Sequence, residues 1–151
     1  SIGDFPDNKF DSIALLDIIK YLENEIKSFV PDEIFTHFSL DLNIDHRITC
    51  QAVKTIFRPM FVKENSTIYE CEVLSSTDWV QNSKHVFVPN HYENITKFLN
   101  TKNKALKCYN YEMREFPHSR SYEAITNLAK FRGMHSGFEL SESFIISFSR
   151  N

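Results

Sequence analysis

An α/β layered domain is what this sequence predicts, on three observations. Apolar residues recur at three- and four-residue steps through several long windows, the pattern of amphipathic helices. Short runs rich in β-branched and aromatic residues stand between those windows and read as strands. The two kinds follow one another as helix, strand, helix, strand, strand, helix, helix, strand, which is the order of a layered α/β fold.

The first helix is expected over residues 9–29, where Phe10, Ile13, Leu16, Ile19, Leu22 and Ile26 keep the stripe and Pro31 stops it. EIFTHF then reads as a strand ending near His37, and SLDLN as the loop after it. Asn43 is placed as an N-cap, Asp45 falls in the favourable first turn, and Ile48, Ala52, Val53 and Ile56 carry a second helix to Arg58-Pro59. His46 therefore sits at a helix start. TIYECEVL and HVFVPNHY are the next two strands, with a serine-rich turn over residues 75–83 between them. Helical patterns return over 95–109 and 122–132, with Gly133 positioned like a C-cap, and ESFIISFSR alternates as a final strand.

The chain has 151 residues, 42% of them hydrophobic and 25% charged, which is ordinary composition for one globular domain. Its formal net charge is -3, and no lysine or arginine cluster exceeds two neighbours, so nucleic acid is discounted as a partner. No run approaches the ~18 apolar residues of a membrane span. Cys50, Cys71 and Cys108 are an odd number with no C-x-x-C pair and no apolar leader, which reads as reduced thiols in a cytoplasmic protein. With only Gly3, Gly133 and Gly137, the glycine-rich phosphate loops of nucleotide-binding folds cannot be built. The opening SIGDFPDN reads like the middle of a loop, so the chain is expected to begin inside a larger domain.

In layered α/β sheets ligands collect at the carboxyl ends of strands, where loops meet helix N-termini, and HFSLDLNIDHR, residues 37–47, occupies such a place. Asp41, Asn43 and Asp45 imitate the front of a calcium loop. Such a loop needs glycine at its sixth position and a bidentate glutamate at its twelfth, and counting from Asp41 these are His46 and Ala52. The calcium reading fails. A transition-metal reading fits better, because the positive end of a helix dipole favours the neutral imidazole that can donate a lone pair. Asp41 and Asp45 could take the other ring N–H and fix the tautomer, as carboxylates usually do behind metal-bound histidines. The alternative is a hydrogen-bonded structural histidine, and spacing alone leaves both open.

T-H-F-S-L-D-L-N-I-D-H-R-I-T-C-Q-A followed by F-R-P resembles the second signature of the zinc-dependent N-deacetylases of the LmbE-like family, related to N-acetylglucosaminylphosphatidylinositol de-N-acetylase. GDFPDNKFD upstream, and HSRSYEAITNLAKFRG and GFELSESFIISFSR downstream, are similar to further parts of that family in the same order, so the likeness spans nearly the whole chain. The resemblance implies a Rossmann-like domain with a mostly parallel sheet and a zinc ion that removes an acetyl group from an N-acetylated amino sugar. It makes His46 a zinc ligand, Asp41 and Asp45 carboxylates behind it, and His37, Asn43 and Asp45 the residues nearest the chemistry. The family's other ligands and its general base belong to a first motif of the form H-P-D-D.

No H-P-D-D segment exists in this chain. The resemblance therefore implies a carboxyl-terminal portion, residues 1–151 as a single domain lacking the first strand, loop and helix. Such a portion is expected to associate with the missing amino-terminal part or to form homo-oligomers. Where relatives carry a second histidine, this chain has Asn43, so either the Asn43 amide or His37 is expected to face a developing oxyanion. Asp7 resembles a position near sugar hydroxyls, or serves the turn of Pro-Asp-Asn. Arg120, with Ser121, approaches an anionic part of a substrate, or caps the helix beginning at Tyr122. Glu142 lines a pocket, or is a solvated strand residue. His85, His91 and His135 have no partner at metal spacing. The competing class is a non-catalytic carbohydrate-binding or scaffold remnant of the same fold.

Overall fold

The computed structural model describes residues 4–62, 64–81 and 84–150. They form two compact units, one of residues 1–87 with 145–151 and one of residues 88–144.

In the first unit, helix α1 spans Leu15–Glu25 and strand β1 Glu33–His37, followed by helix α2 over Ile44–Ile56 and strand β2 over Thr67–Cys71. β1 and β2 pair in parallel, from Glu33 opposite Thr67 to His37 opposite Cys71. One intervening helix, α2, returns the chain to the end from which it left, which is what a parallel pair requires. Strand β4, Ser141–Ser149, enters this unit with its last residues. Beyond it, Arg150 donates its N–H to the Ser66 carbonyl and accepts from Asn65 N–H.

The expected first helix starts late. Phe10–Ser12 form one 3-10 turn, Ile13 is extended, and α1 begins only at Leu15. The reason lies outside the stretch itself: the backbone N–H groups of Asn8 and Phe10 donate to the Asp45 carboxylate at 2.6 and 3.0 Å. Those bonds hold residues 8–10 to α2 in place of a helical ladder. Ile18 and Ile19 from α1, Ala52 and Ile56 from α2, Ile34 from β1 and Ile68 from β2 make one core with Phe57 and Val62. Burying each large aliphatic side chain there contributes on the order of 1.5–3 kcal/mol.

In the second unit, strand β3 spans His91–Asn94, helix α3 Leu99–Lys107 and helix α4 Tyr122–Ser136. β3 pairs antiparallel with the start of β4, from His91 opposite Phe144 to Asn94 opposite Ser141. The strand expected over HVFVPNHY is reduced to its last residues, because Pro89 has no N–H for a ladder and residues 85–90 stay irregular. Asn82 and Ser83, part of the expected serine-rich turn, lie outside the described residues. The helix expected from residue 95 starts at Leu99, after Asn94 Oδ1 has accepted the Thr96 N–H in a turn. Ile95, Ala129 and Leu140 form this unit's core.

The C-cap of α4 is Gly137, not Gly133. Gly137 has a φ of 76°, the left-handed conformation in which glycine ends helices. Gly133 is inside the helix for a packing reason: a Cβ there would stand 2.7 Å from the Phe138 carbonyl oxygen and 2.8 Å from that of Glu139.

The α/β class holds. In place of the expected mostly parallel sheet, the described residues have one parallel pair, β1 with β2, and an antiparallel pair, β3 with β4. Two helices separate β3 from β4, so the chain reaches β4 from the opposite end.

Candidate functional site

His37 closes β1, and the loop after it leads to α2. Asn43 caps α2 as expected, its side chain accepting the Asp45 N–H at 2.8 Å. This places His46 in the first turn. Phe38, buried, turns the chain back so that Asp41 N–H reaches its carbonyl at 3.1 Å.

Asp41 is the pivot of the site. It is 1% exposed. Its Oδ1 accepts from His46 Nδ1 at 3.1 Å, from the Asn43 N–H at 2.9 Å and from the Ser76 hydroxyl, while Oδ2 accepts from the Thr77 hydroxyl at 2.6 Å. Burial pushes the Asp41 carboxyl up, but the donors from His46, Ser76, Thr77 and Asn43 outweigh it and hold the group at about 2. An ionised carboxylate only accepts. In the neutral imidazole the proton is therefore on His46 Nδ1, and Nε2 carries the lone pair.

His37 stacks on His46, ring centroids 4.0 Å apart and planes 12° from parallel. Burial, and then repulsion from His46, push the His37 imidazole down to about 4 against the pull of Asp41. His37 is thus neutral at physiological pH. Its Nδ1 is shielded from solvent with no hydrogen-bond partner among the described residues, an uncommon condition for a buried polar atom.

Asp45 does different work from Asp41. Both of its oxygens are taken by the N–H groups of Asn8 and Phe10, so it anchors the loop that carries Asp7. Asp7 itself is exposed and accepts from the Asn8 amide at 3.0 Å. The Asn43 amide nitrogen is directed to Asn8 Oδ1 at 3.2 Å. In the second unit Arg120 pairs with Glu112, and the cap of α4 is the Ser121 hydroxyl, which accepts the Ala124 N–H at 3.0 Å. Glu142 pairs with Lys102 at 2.6 Å.

The structure adds residues that sequence reading passed over. Ser76 and Thr77 follow β2 and were legible only as part of a serine-rich turn; their place after a parallel strand's carboxyl end was the available signal. Arg47 donates to the carbonyls of Asp41 and Leu42 at 2.5 and 2.7 Å, fixing the same loop. Glu70, 3% exposed, accepts the Ser39 N–H at 2.7 Å and pairs with Lys54 at 2.5 Å. A charged residue at an inward strand position was the signal for Glu70, since such residues are seldom buried unpaired.

Among the described residues, no group of three His, Cys, Asp or Glu side chains is placed to hold a metal ion. The donors fit one ligand of such a site, His46 Nε2 with Asp41 behind it, and do not complete one. No described helix is long and apolar enough to cross a membrane.

No protein-family model matches the chain, and no curated protein does. In fold, the chain is similar to the crystal structure of the conserved protein TT1542 from Thermus thermophilus, with a TM-score of 0.67 at 16% identity. The match covers 97% of this chain and 64% of TT1542, so the chain spans less than two thirds of that protein's length.

Proposed function

We propose that this chain is part of a zinc-dependent hydrolase that removes the acetyl group from an N-acetylated amino sugar, as its resemblance to the LmbE-like deacetylases implies. The observation that carries this reading is the His46 ring, protonated at Nδ1 by its bond to buried Asp41 and lying against the neutral ring of His37. A carboxylate behind one imidazole nitrogen is what orients metal-bound histidines. Bound zinc would polarise the water that attacks the amide carbonyl.

What these residues do is separable from the ion. Asp41 holds His46 in one tautomer and one orientation. His37, kept neutral and stacked on His46, would donate or accept a hydrogen bond beside the reacting carbonyl. The geometry supports His37 over Asn43 in that role, because the Asn43 amide is already engaged by the helix cap and by Asn8. Asp45 acts by tying the Asp7 loop to α2, where Asp7 would meet sugar hydroxyls.

The remaining ligands and the general base are assigned, on this reading, to a Rossmann-like first strand, loop and helix outside these residues. One observation supports that: β1 has a hydrogen-bonded neighbour on one side only among the described residues. A strand added there would extend the parallel pairing of β1 and β2. The same reading places the protein in the cytoplasm and allows homo-oligomers through that open edge. The second reading, a non-catalytic carbohydrate-binding or scaffold remnant, is favoured by the incomplete ligand set among the described residues.

The test is zinc content and acetate release for the chain alone, for the chain together with the amino-terminal segment its gene encodes or a partner supplies, and for that assembly with His46→Ala. Zinc held only by the assembly, and lost with His46→Ala, is the expected result. Stoichiometric zinc that survives His46→Ala removes the ligand assignment. Sugar binding without zinc or acetate release in the assembly establishes the remnant.

A further inference from the structure

Asn100, Asn103, Lys104 and Lys107 stand at i, i+3, i+4 and i+7 along α3 and so share one face. This is the spacing with which a helix usually turns an apolar stripe to a core. Here it carries two amides and two ammonium groups, and α3 buries none of its residues. Together with Tyr122, the first residue of α4, that face lines a cleft of about 400 Å³. Such a volume falls within the range of small-molecule sites, roughly 300–1,000 Å³.

The lining is one-sided in its chemistry. Among the described residues, no acidic side chain lines the cleft. Among the described residues of this unit, the ion pairs join Lys102 to Glu142, Arg120 to Glu112 and His91 to Glu93, and neither Lys104 nor Lys107 is in one.

We propose that this cleft binds the phosphate group of a phosphorylated small molecule, with the Lys104 and Lys107 ammonium groups as donors. Two lysines match the charge of a phosphate monoester, and lysine serves phosphate as a point charge without the planar geometry arginine imposes. The cleft is larger than a phosphate needs. The rest of the ligand would lie against Asn100 and Asn103, whose amides can donate and accept, as a polyhydroxylated body requires.

Calorimetric titration of the chain with glucose 1-phosphate, inorganic phosphate and glucose tests this, each at low and high salt. Binding of glucose 1-phosphate that weakens with salt, weaker binding of phosphate alone, and none of glucose is the expected pattern. Lys104→Gln with Lys107→Gln should weaken glucose 1-phosphate by about tenfold or more. These positions are surface or half-buried, and an unchanged urea midpoint shows the variants folded. His46→Ala should leave the affinity as it was, which separates this cleft from the proposed metal centre. The proposal is overturned if glucose binds as well as its phosphate, if the lysine pair can be replaced without loss, or if millimolar glucose 1-phosphate gives no binding. A single-stranded oligonucleotide that binds through the same lysines and displaces glucose 1-phosphate also overturns it, in favour of a nucleic-acid contact.

Discussion

The Asp41 carboxylate lies 3.1 Å from His46 Nδ1 and takes three further donors, two from hydroxyls after β2 and one from the α2 cap. One buried charge thereby couples three pieces of chain: the loop after β1, the start of α2 and the turn at Ser76–Thr77. Asp41→Asn should therefore act twice. The new amide would turn an N–H toward donors that need acceptors, costing about 2–4 kcal/mol in urea unfolding. In an assembly that holds zinc, affinity measured by chelator competition should also fall about 10–100-fold, the usual loss when the group behind a metal histidine is removed.

His37 sets a pH dependence. Its folded-state pKa, about 4, is depressed below the 6.5 of a free histidine by burial and by His46. Between those values the unfolded chain binds the proton and the folded one does not, so stability falls as pH drops from about 6.5 toward 4. His37→Gln should flatten the urea midpoint across that window. A slope that persists in the variant would assign the effect to another group.

Asp41 extends the loss to lower pH. Its carboxyl is held at about 2 against an ordinary 3.8, so the stability it contributes is present above about pH 4 and is lost as pH falls from there to 2. Asp41→Asn should remove that part of the acid transition while leaving the His37 part, followed by far-UV circular dichroism.

Glu70 is buried with its carboxylate shared between the Ser39 N–H and Lys54. Glu70→Ala should destabilise by about 2–4 kcal/mol, since the Ser39 N–H loses its acceptor while half-exposed Lys54 can turn to water. Glu70→Gln, which keeps an acceptor, should cost roughly half as much in the same denaturant titration.

Gly133→Ala reverses a general rule. Glycine to alanine inside a helix usually gains up to about 1 kcal/mol, but here the added Cβ meets two carbonyl oxygens within 2.8 Å and should cost about 1–3 kcal/mol. Gly137→Ala has open space around it and should cost only the left-handed conformation, about 1 kcal/mol. Thermal midpoints of the two variants check the order.

Much of the frame was legible in sequence because it rests on local signals. The apolar stripe of α2, its Asn43 cap and the β-prone run before His37 each act within a turn or two, and the structure keeps them where periodicity put them. The late start of α1 was not legible, because the atoms that prevent the helix belong to Asp45, thirty-seven and thirty-five residues away from the N–H groups it binds. The irregular path through Pro89 was readable in principle, as the missing N–H is a property of that residue. The choice between Gly133 and Gly137 was not, since the carbonyls that forbid a Cβ at 133 come from the chain after the helix.

The sequence by itself determined the α/β class, the placing of His46 in a helix's first turn, and the set of polar residues around it. Only the tertiary structure decided how that set divides. Asp41 and Asp45 are both acidic and four residues apart, and although the sequence puts one in the loop and the other in a helix's first turn, it gives both the same role behind His46. Folding buries Asp41 under the hydroxyls of Ser76 and Thr77 and turns it to His46, whereas Asp45 faces the backbone of residues 8–10. The physical reason is that a buried carboxylate takes its role from the donors that converge on it, and most of those donors are brought by distant segments.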